Sequence, residues 1–244
     1  HLPLYATAQQ DGKSEAGLYG DVVADLDNSV RRVVETLDQL GLSENTLVVV
    51  TSDNGPWFQG SPGFVRGRKG GTFEGGMRVP LIVRWPGHVP AGQRTEALAA
   101  GVDFFPTLLG VAGIPLPRDR VIDGVDLMPV FKAEAAEAEP RPILYYSDGE
   151  LQAIRLGRFK WQDARRLAYG KLPGLPLFGS FERGPWLFDL EQDAQESYDV
   201  SEVHPEAFAE LARLASDHKA ALARSPRGWL GERRSAEGKL DLDR

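Results

Sequence analysis

The sequence contains no cysteine. That absence excludes disulfide bonds, thiolate metal ligands and a cysteine nucleophile within these 244 residues. No apolar run approaches the roughly 20 residues that a membrane-spanning helix needs. Positive charge is also scarce, because 28 Lys and Arg residues against 35 Asp and Glu residues give a net charge of -7. A broad electrostatic attraction to nucleic acid or to an anionic membrane is therefore excluded, and any anion site must be local.

The residues that are present suffice for a substantial core. With 42% hydrophobic residues, the chain can form one large α/β domain, or such a domain with a smaller companion. It opens with HLPLYATAQQ, which is neither a translation start nor a signal peptide. We therefore expect the chain to be a fragment of a longer protein.

The first part of the sequence predicts helices alternating with strands. Apolar residues at helical spacing predict an amphipathic helix over residues 20–40, which Gly41 ends. The run TLVVVTS, residues 46–52, is apolar on both faces and predicts a central parallel strand covered by helices. VPLIVRW, residues 79–85, predicts a second buried strand, and VDFFPTLLGVAG predicts a helix with Asp103 as its N-cap. Helix, turn and buried strand together indicate an α/β fold.

The composition changes after Phe131, where KAEAAEAEPRP is small, acidic and proline-terminated. Four strand-like runs separated by turn residues follow and predict an antiparallel sheet: ILYYSDG, ELQAIRLG, RFKWQD and PWLFDL. A helix over about residues 204–222 is expected to cover one face of that sheet. We therefore predict an α/β core over residues 1–131 and a smaller α+β subdomain over residues 132–244.

Polar side chains follow the first predicted strand directly. Asp53 and Asn54 supply a carboxylate and an amide oxygen, which are ligands suited to Ca²⁺ or Mg²⁺. Ligands of open α/β sheets collect beyond the carboxyl ends of parallel strands, which favours a site here. By itself, however, Asp-Asn-Gly at a strand end is more often an ordinary hydrogen-bonded turn.

A basic, glycine-rich segment comes next. Between Ser61 and Arg84 there are five basic residues and one acid, Glu74, although the chain is acidic overall. Glycines at 67, 70, 71, 75 and 76 would let backbone amides and Lys69 approach a small oxyanion closely. A flexible surface loop with solvated arginines explains this segment equally well. The sequence does not match the phosphate-binding patterns GxxxxGK[ST] or GxGxxG.

Several of these segments, taken in order, resemble one family. NTLVVVTSDNG and RGRKGGTFEGGMRVPLIVRWPG resemble the metal-binding and lysine-bearing segments of the sulfatases, within the alkaline phosphatase superfamily. HLPLYA, LYGDVVADLDNSVRRVVETLDQLGL, DGVDLMPVF and PWLFDLEQDAQESYDVS resemble other landmarks of the same family. The resemblance implies part of a sulfatase-type mixed sheet flanked by helices, followed by a small antiparallel sheet with a covering helix.

The resemblance also implies an activity, the hydrolysis of a sulfate ester carried by a small molecule or a glycan. Asp53 and Asn54 would bind a divalent cation, usually Ca²⁺ and alternatively Mg²⁺. Lys69 would bind a sulfate oxygen, and His1 would contact the ester oxygen as the general acid. A cation, a lysine and a proton donor can each stabilise the negative charge that develops on the leaving oxygen.

Two further residues are candidates for supporting roles around this site. Glu74 is a candidate to orient Lys69, although a capping role is as plausible for that carboxylate. Arg78 is interpreted mainly as an ion-pair partner.

The family's nucleophile is a formylglycine made from Cys or Ser in a Cys/Ser-x-Pro/Ala-x-Arg motif. The chain has no cysteine and no serine in that pattern, since SPRGW at residues 225–229 has the wrong spacing. We therefore expect these residues to be the C-terminal half of a sulfatase, with the nucleophile upstream. Residues 1–244 alone should be inactive, and full turnover by the isolated fragment would contradict that expectation.

Two alternatives remain open from the sequence. A phosphatase or phosphonate monoester hydrolase of the same superfamily would share the fold, but such relatives generally carry Asp-His where this chain has Asp53-Asn54. A non-catalytic homologue that binds sulfated glycans would explain the missing nucleophile. Export to a periplasm, a lysosome or the exterior is what the family resemblance implies about the compartment.

Overall fold

A computed structural model of the chain describes residues 3–147, 149–166 and 181–224. These residues form two contact units. The first combines the chain up to Asp53 with Val79–Pro140, and the second combines Asn54–Arg78 with the chain from Arg141 onward. The glycine-rich segment 54–78 therefore packs with the C-terminal residues. The predicted domain limits, 1–131 and 132–244, follow the change in composition and remain a prediction.

The first unit begins with α1, Gly17–Gln39, which confirms the predicted amphipathic helix. The buried carboxylate of Asp21 accepts hydrogen bonds from the backbone N–H groups of residues 12, 13 and 14, at 2.9, 3.1 and 2.7 Å. These bonds fold the preceding loop back onto the first turns of the helix. Gly41 ends the helix with a φ of 67°, and the Leu42 N–H bonds the Leu37 carbonyl at 2.9 Å.

Two short strands, β1 (Val48–Thr51) and β2 (Leu81–Arg84), pair with each other. The pairing is antiparallel, with Val49 opposite Val83 and Val50 opposite Ile82. Over the described residues, the neighbour of β1 is therefore an antiparallel strand, where the sequence predicted a central parallel one; in this chain residues 48–50 are half-buried and Ile82 is 62% exposed. The cause is that an apolar run shows only that both faces favour burial; it does not determine the direction of the partner strand.

Short helices complete the described part of this unit. They are α3 (Phe104–Val111), α4 (Met128–Phe131) and two 3₁₀ turns, Ser43–Asn45 and Gly101–Asp103. The buried Asp103 carboxylate accepts hydrogen bonds from the N–H groups of Ala100, at 2.7 Å, and Val125, at 3.0 Å. Asp103 thus ties two loops together. It directly precedes α3, as predicted, but its side chain makes no capping hydrogen bond to that helix.

The second unit contains α2 (Glu74–Met77) and a four-stranded antiparallel sheet. Its strands are β3 (Ile143–Ser147), β4 (Glu150–Leu156), β5 (Phe159–Arg166) and β6 (Phe181–Asp189), in sequential order. The helix α5, Pro205–Ala223, follows. The predicted antiparallel sheet and covering helix are both confirmed.

Strand register separates an apolar face of this sheet from a polar one. Ile154, Trp161 and Leu187 are aligned across β4, β5 and β6 and pack with Leu211 and Ala215 of α5. The adjacent row aligns Arg155 and Lys160 with Phe188. Since successive strand residues point to opposite faces, this row faces away from α5.

Among the described helices, none combines the length and the apolar character that a bilayer crossing requires.

The glycine-rich segment folds tightly enough for a substitution to test it. A Cβ atom at Gly55 would lie 1.9 Å from the carbonyl oxygen of Gly75, so backbone must move to admit it. We expect Gly55→Ala to lower the free energy of unfolding by about 3 kcal/mol, measured by chemical denaturation. Gly101→Ala is the matched control, because nothing lies within 4 Å of its added Cβ. Equal stability of the two variants would contradict the packing described here.

Candidate functional site

The predicted site residues lie at the end of β1 and in the segment 54–78. Asp53 is exposed, two residues beyond β1, and Asn54 is half-buried beside it. Lys69 is half-buried within the glycine-rich segment. His1 lies outside the described residues.

Backbone hydrogen bonds bring the lysine segment next to the turn that follows Asn54. The Lys69 N–H donates to the Pro56 carbonyl at 3.0 Å, and the Gly55 N–H donates to the Gly76 carbonyl at 2.9 Å. Residues 54–56 therefore lie against both the middle and the end of the same loop. The turn that follows Asn54 is thus hydrogen-bonded to Lys69 itself, through backbone groups.

The glycines of this loop serve close backbone packing. The N–H groups of Gly71, Gly75 and Gly76 donate to the carbonyls of Arg68, Arg66 and Phe73, at 3.1, 2.7 and 2.9 Å. An added Cβ at Gly75 or Gly76 would approach backbone carbonyl oxygens to within 2.6 Å. These amides are engaged within the loop, which corrects the expectation that they lie open to an oxyanion. The loop is also too densely bonded to fit the alternative of a flexible surface segment.

Several of the basic residues hold local structure. An Arg68 guanidinium nitrogen donates to the Trp57 carbonyl, at 2.9 Å, and to the Gly60 carbonyl. Arg84, in the first unit, pairs with Asp38 at 2.9 Å. The exposed Arg78 lies over the ring of Phe64, 5.4 Å from its centroid, and its N–H bonds the Glu74 carbonyl at 2.6 Å. Arg68 and Arg78, two of the five basic residues of the predicted anion site, therefore contact other groups of the segment 54–78.

Glu74 is the most heavily bonded side chain of the loop. Its carboxylate is buried and accepts hydrogen bonds from the Tyr145 hydroxyl at 2.6 Å and from Arg155 at 2.7 Å, while Lys160 Nζ lies at 3.2 Å. These partners come from β3, β4 and β5. The carboxylate therefore faces the polar side of the sheet, and its predicted link to Lys69 remains a prediction.

Lys160 binds this loop from the sheet. It has no exposed surface, and its Nζ donates to the Thr72 carbonyl at 2.7 Å. The same ammonium group lies 3.0 Å from a carboxylate oxygen of Glu196, which is also fully buried. The other Glu196 oxygen accepts the Glu74 N–H at 2.7 Å. One lysine thus lies between two buried carboxylates and a carbonyl oxygen.

The two carboxylates respond oppositely to this environment. Burial raises the pKa of Glu74. The positive charges of Lys160 and Arg155 and the hydrogen bond from the Tyr145 hydroxyl together lower it by more, so the pKa lies below its ordinary value. Burial also raises the pKa of Glu196, and there Lys160 and the Glu74 N–H do not fully offset it. The negative charge of Glu74 adds to that increase. Glu74 is therefore the more readily ionised of the two carboxylates.

Sequence reasoning missed Lys160, Arg155, Tyr145 and Glu196. In RFKWQD, Lys160 and Gln162 alternate with Phe159 and Trp161, so the sequence indicates that both polar side chains lie on one face of a strand. Such alternation is typical of a strand with a solvent face, and only the packing of the loop shows that the polar face is buried.

The donor set for a cation is incomplete among the described residues. Asp53 and Asn54 have the hard oxygen atoms that Ca²⁺ or Mg²⁺ prefers, but Ca²⁺ takes six to eight oxygen ligands. The structure, over the residues it describes, contains no group of three or more His, Asp or Glu side chains that could hold a metal. Asp53 and Asn54 fit a cation site in chemical type and supply a part of its shell.

Family models match two overlapping segments of the chain. The model described as Sulfatase matches residues 1–114, and the model described as N-sulphoglucosamine sulphohydrolase, C-terminal, matches residues 68–164. The second match includes both Lys69 and Lys160.

Curated relatives match over most of the chain. N-acetylgalactosamine-6-sulfatase of Canis lupus familiaris is 37% identical over 236 residues, covering 88% of this chain and 45% of that protein. Steryl-sulfatase of Rattus norvegicus is 42% identical over 164 residues, covering 63% of this chain and 28% of that protein. The chain spans about half the length of the N-acetylgalactosamine-6-sulfatases that it matches.

A solved structure shows the same fold. The crystal structure of the PsFucS1 sulfatase from Pseudoalteromonas sp. matches with a TM-score of 0.81 and 26% identity, covering 93% of this chain and 47% of that one.

The buried position of Glu74 generates a prediction about pH. Because its pKa is lowered in the folded protein, its charge stabilises the fold above about pH 5, and that contribution falls as the pH drops below about 4. We expect Glu74→Gln to reduce the free energy of unfolding by about 3 kcal/mol at pH 7, with a smaller deficit near pH 3.

Denaturant unfolding of the variant and the wild type at several pH values measures this deficit. Glu206→Gln, at an exposed position in the first turn of α5, is the control and should change stability by less than about 0.5 kcal/mol. A deficit for Glu74→Gln that stays constant from pH 7 to pH 3 would show that its charge does not stabilise the fold.

Proposed function

The chain belongs to the sulfatase family, and on that premise we propose that the protein it comes from hydrolyses a sulfate ester to an alcohol and inorganic sulfate. The observation that supports the proposal is the hydrogen bond from the Lys69 backbone N–H to the Pro56 carbonyl, which holds the lysine segment against the turn that follows Asn54. A sulfate ester needs positive charge around its oxygens. In the proposed site, Lys69 and a cation bound by Asp53 and Asn54 would supply it.

Lys69 and His1 have separate roles in the proposed reaction. Sulfur is attacked by an oxygen nucleophile, and the bond between sulfur and the alcohol oxygen breaks. The Lys69 ammonium binds a sulfate oxygen and offsets the charge that moves onto the leaving oxygen. His1 donates a proton to that oxygen, so the product leaves as a neutral alcohol.

The nucleophile is proposed to come from outside these residues. A hydrated formylglycine supplies the attacking hydroxyl in this family, and it is made from Cys or Ser in the motif described above. The chain contains no cysteine and no serine in that pattern. What these residues contribute is substrate binding, leaving-group protonation and part of a metal site.

Asp53 and Asn54 are the proposed metal ligands, with Ca²⁺ as the cation and Mg²⁺ as the alternative. Their oxygen atoms are of the type that either ion prefers. The cation would add positive charge at the sulfate oxygens.

For the substrate class, we propose a sulfated sugar. The support is the extent of the match, since N-acetylgalactosamine-6-sulfatase aligns with 88% of this chain and steryl-sulfatase with 63%.

The function is tested with a sulfate ester and a phosphate ester of the same alcohol. We expect the full-length protein, with its nucleophile matured, to hydrolyse the sulfate ester with the higher kcat/KM. A chelator should remove turnover, and added Ca²⁺ should restore it. Faster phosphate hydrolysis would favour a phosphatase. Binding of a sulfated glycan without turnover would favour a non-catalytic homologue.

The proposed role of Lys69 is tested by removing its charge. We expect Lys69→Ala in the full-length protein to lower kcat about 100-fold or more, because a preorganised charge at the leaving group is lost. Its unfolding midpoint should change little, since the side chain is only half-buried. Lys132→Ala, at an exposed position after α4, is the control and should retain activity. Equal losses of activity and stability in Lys69→Ala would contradict the role.

A further inference from the structure

Residues 72–74 connect the lysine loop to the four-stranded sheet. The Thr72 side chain is fully buried; its hydroxyl accepts a hydrogen bond from Gln162 at 3.1 Å and donates one to Gln152 at 3.3 Å. Two residues later, the Glu74 carboxylate binds β3, β4 and β5. The three-residue stretch is therefore held by side chains from three strands.

Lys160 contacts this stretch at both ends. It binds the Thr72 carbonyl at one end and the Glu74 carboxylate at the other, and its ammonium group also lies 4.1 Å from the centroid of the Tyr145 ring. Glu196 extends the same cluster through its bond to the Glu74 N–H. Removing the lysine would leave a carbonyl and two carboxylates without their shared cation.

The loop transmits this anchoring toward Lys69 through its backbone. Lys69 lies three residues before Thr72, and the bonds from Gly71 to Arg68 and from Gly75 to Arg66 close the loop on either side of it. In sequence, two residues, Gly70 and Gly71, separate Lys69 from the anchored Thr72. A shift at Thr72 would therefore displace Lys69.

We propose that Lys160 is a positioning residue for Lys69, fixing the loop that carries the sulfate-binding lysine by bonding both ends of residues 72–74. The proposal rests on the proposed function and assigns Lys160 no contact with substrate. A buried ion cluster is often no more stable than well-packed apolar residues of similar volume. Its value here is the fixed geometry that it imposes on residues 72–74.

A double-mutant cycle in the full-length, matured protein tests the proposal. The proteins are the wild type, Lys160→Met, Lys69→Ala and the double variant, each measured for kcat/KM with a sulfate ester. We expect Lys160→Met to lower kcat/KM by about tenfold or more when Lys69 is present, and by less than about twofold when Lys69→Ala is already in place. The same loss in both backgrounds, or no loss at all, would overturn the positioning role.

Amide hydrogen exchange supplies a readout that does not need turnover. Lys160→Met should accelerate exchange in peptides covering residues 66–76, with little change in the α5 peptides that pack on the other face of the sheet. Lys219→Met is the matched control, because Lys219 is an exposed lysine paired with Asp163 of β5 at 2.9 Å. Unchanged exchange over residues 66–76 in Lys160→Met would overturn the proposal.

The buried charge makes a second variant necessary. If Lys160→Met does not fold, the pair Lys160→Met and Glu196→Gln removes one positive and one negative charge together. We expect this neutral pair to restore folding while exchange over residues 66–76 stays fast, and full recovery of protection would contradict the role of Lys160. If the wild-type protein does not hydrolyse the sulfate ester, the proposed function fails, and the exchange experiment still decides whether Lys160 holds the loop.

Discussion

A single buried ammonium group between two carboxylates organises the second unit of this protein. Lys160 bonds Thr72 and lies close to Glu74 and Glu196, so a loop, a strand and a later turn depend on one positive charge. Because an uncompensated buried charge is costly, moving one of these segments away from the lysine is unfavourable. The irregular segment 54–78 thereby obtains a defined conformation without extended secondary structure.

The balance of charge in this cluster follows from competition between desolvation and pairing. Glu74 has two cations and a hydroxyl as partners, which is enough to overcome its burial and lower its pKa. For Glu196, burial outweighs the effects of Lys160 and of one backbone N–H, so its pKa is raised. Arg155, aligned with Lys160 across β4 and β5, and the Tyr145 hydroxyl act on Glu74, whereas the charge of Glu74 raises the pKa of Glu196.

Patterns local in sequence predicted the regular elements well. The helical spacing before Gly41 predicted α1, and the strand-like runs after residue 142 predicted the antiparallel sheet. The apolar residues over about 204–222 predicted α5. Each of these depends on residues a few positions apart. The pairing of β1 with β2 was not predicted, because strand direction depends on residues about 30 positions away. The amides of Gly71, Gly75 and Gly76 were expected to face an oxyanion, but they donate to carbonyls of their own loop.

The sequence by itself determined the order of elements, the family resemblance and the residue types at the candidate site, Asp53, Asn54 and Lys69. Those features depend on local periodicity and on the chemistry of single side chains. Only the tertiary structure decided that the polar face of β4 and β5 is buried and that Glu74 faces it. The reason is physical: an alternating strand has two faces, and which one meets water depends on what packs there from distant parts of the chain. The alternation in RFKWQD is typical of a strand whose Lys160 faces solvent. In the structure, Lys160 is fully buried and bonds Thr72.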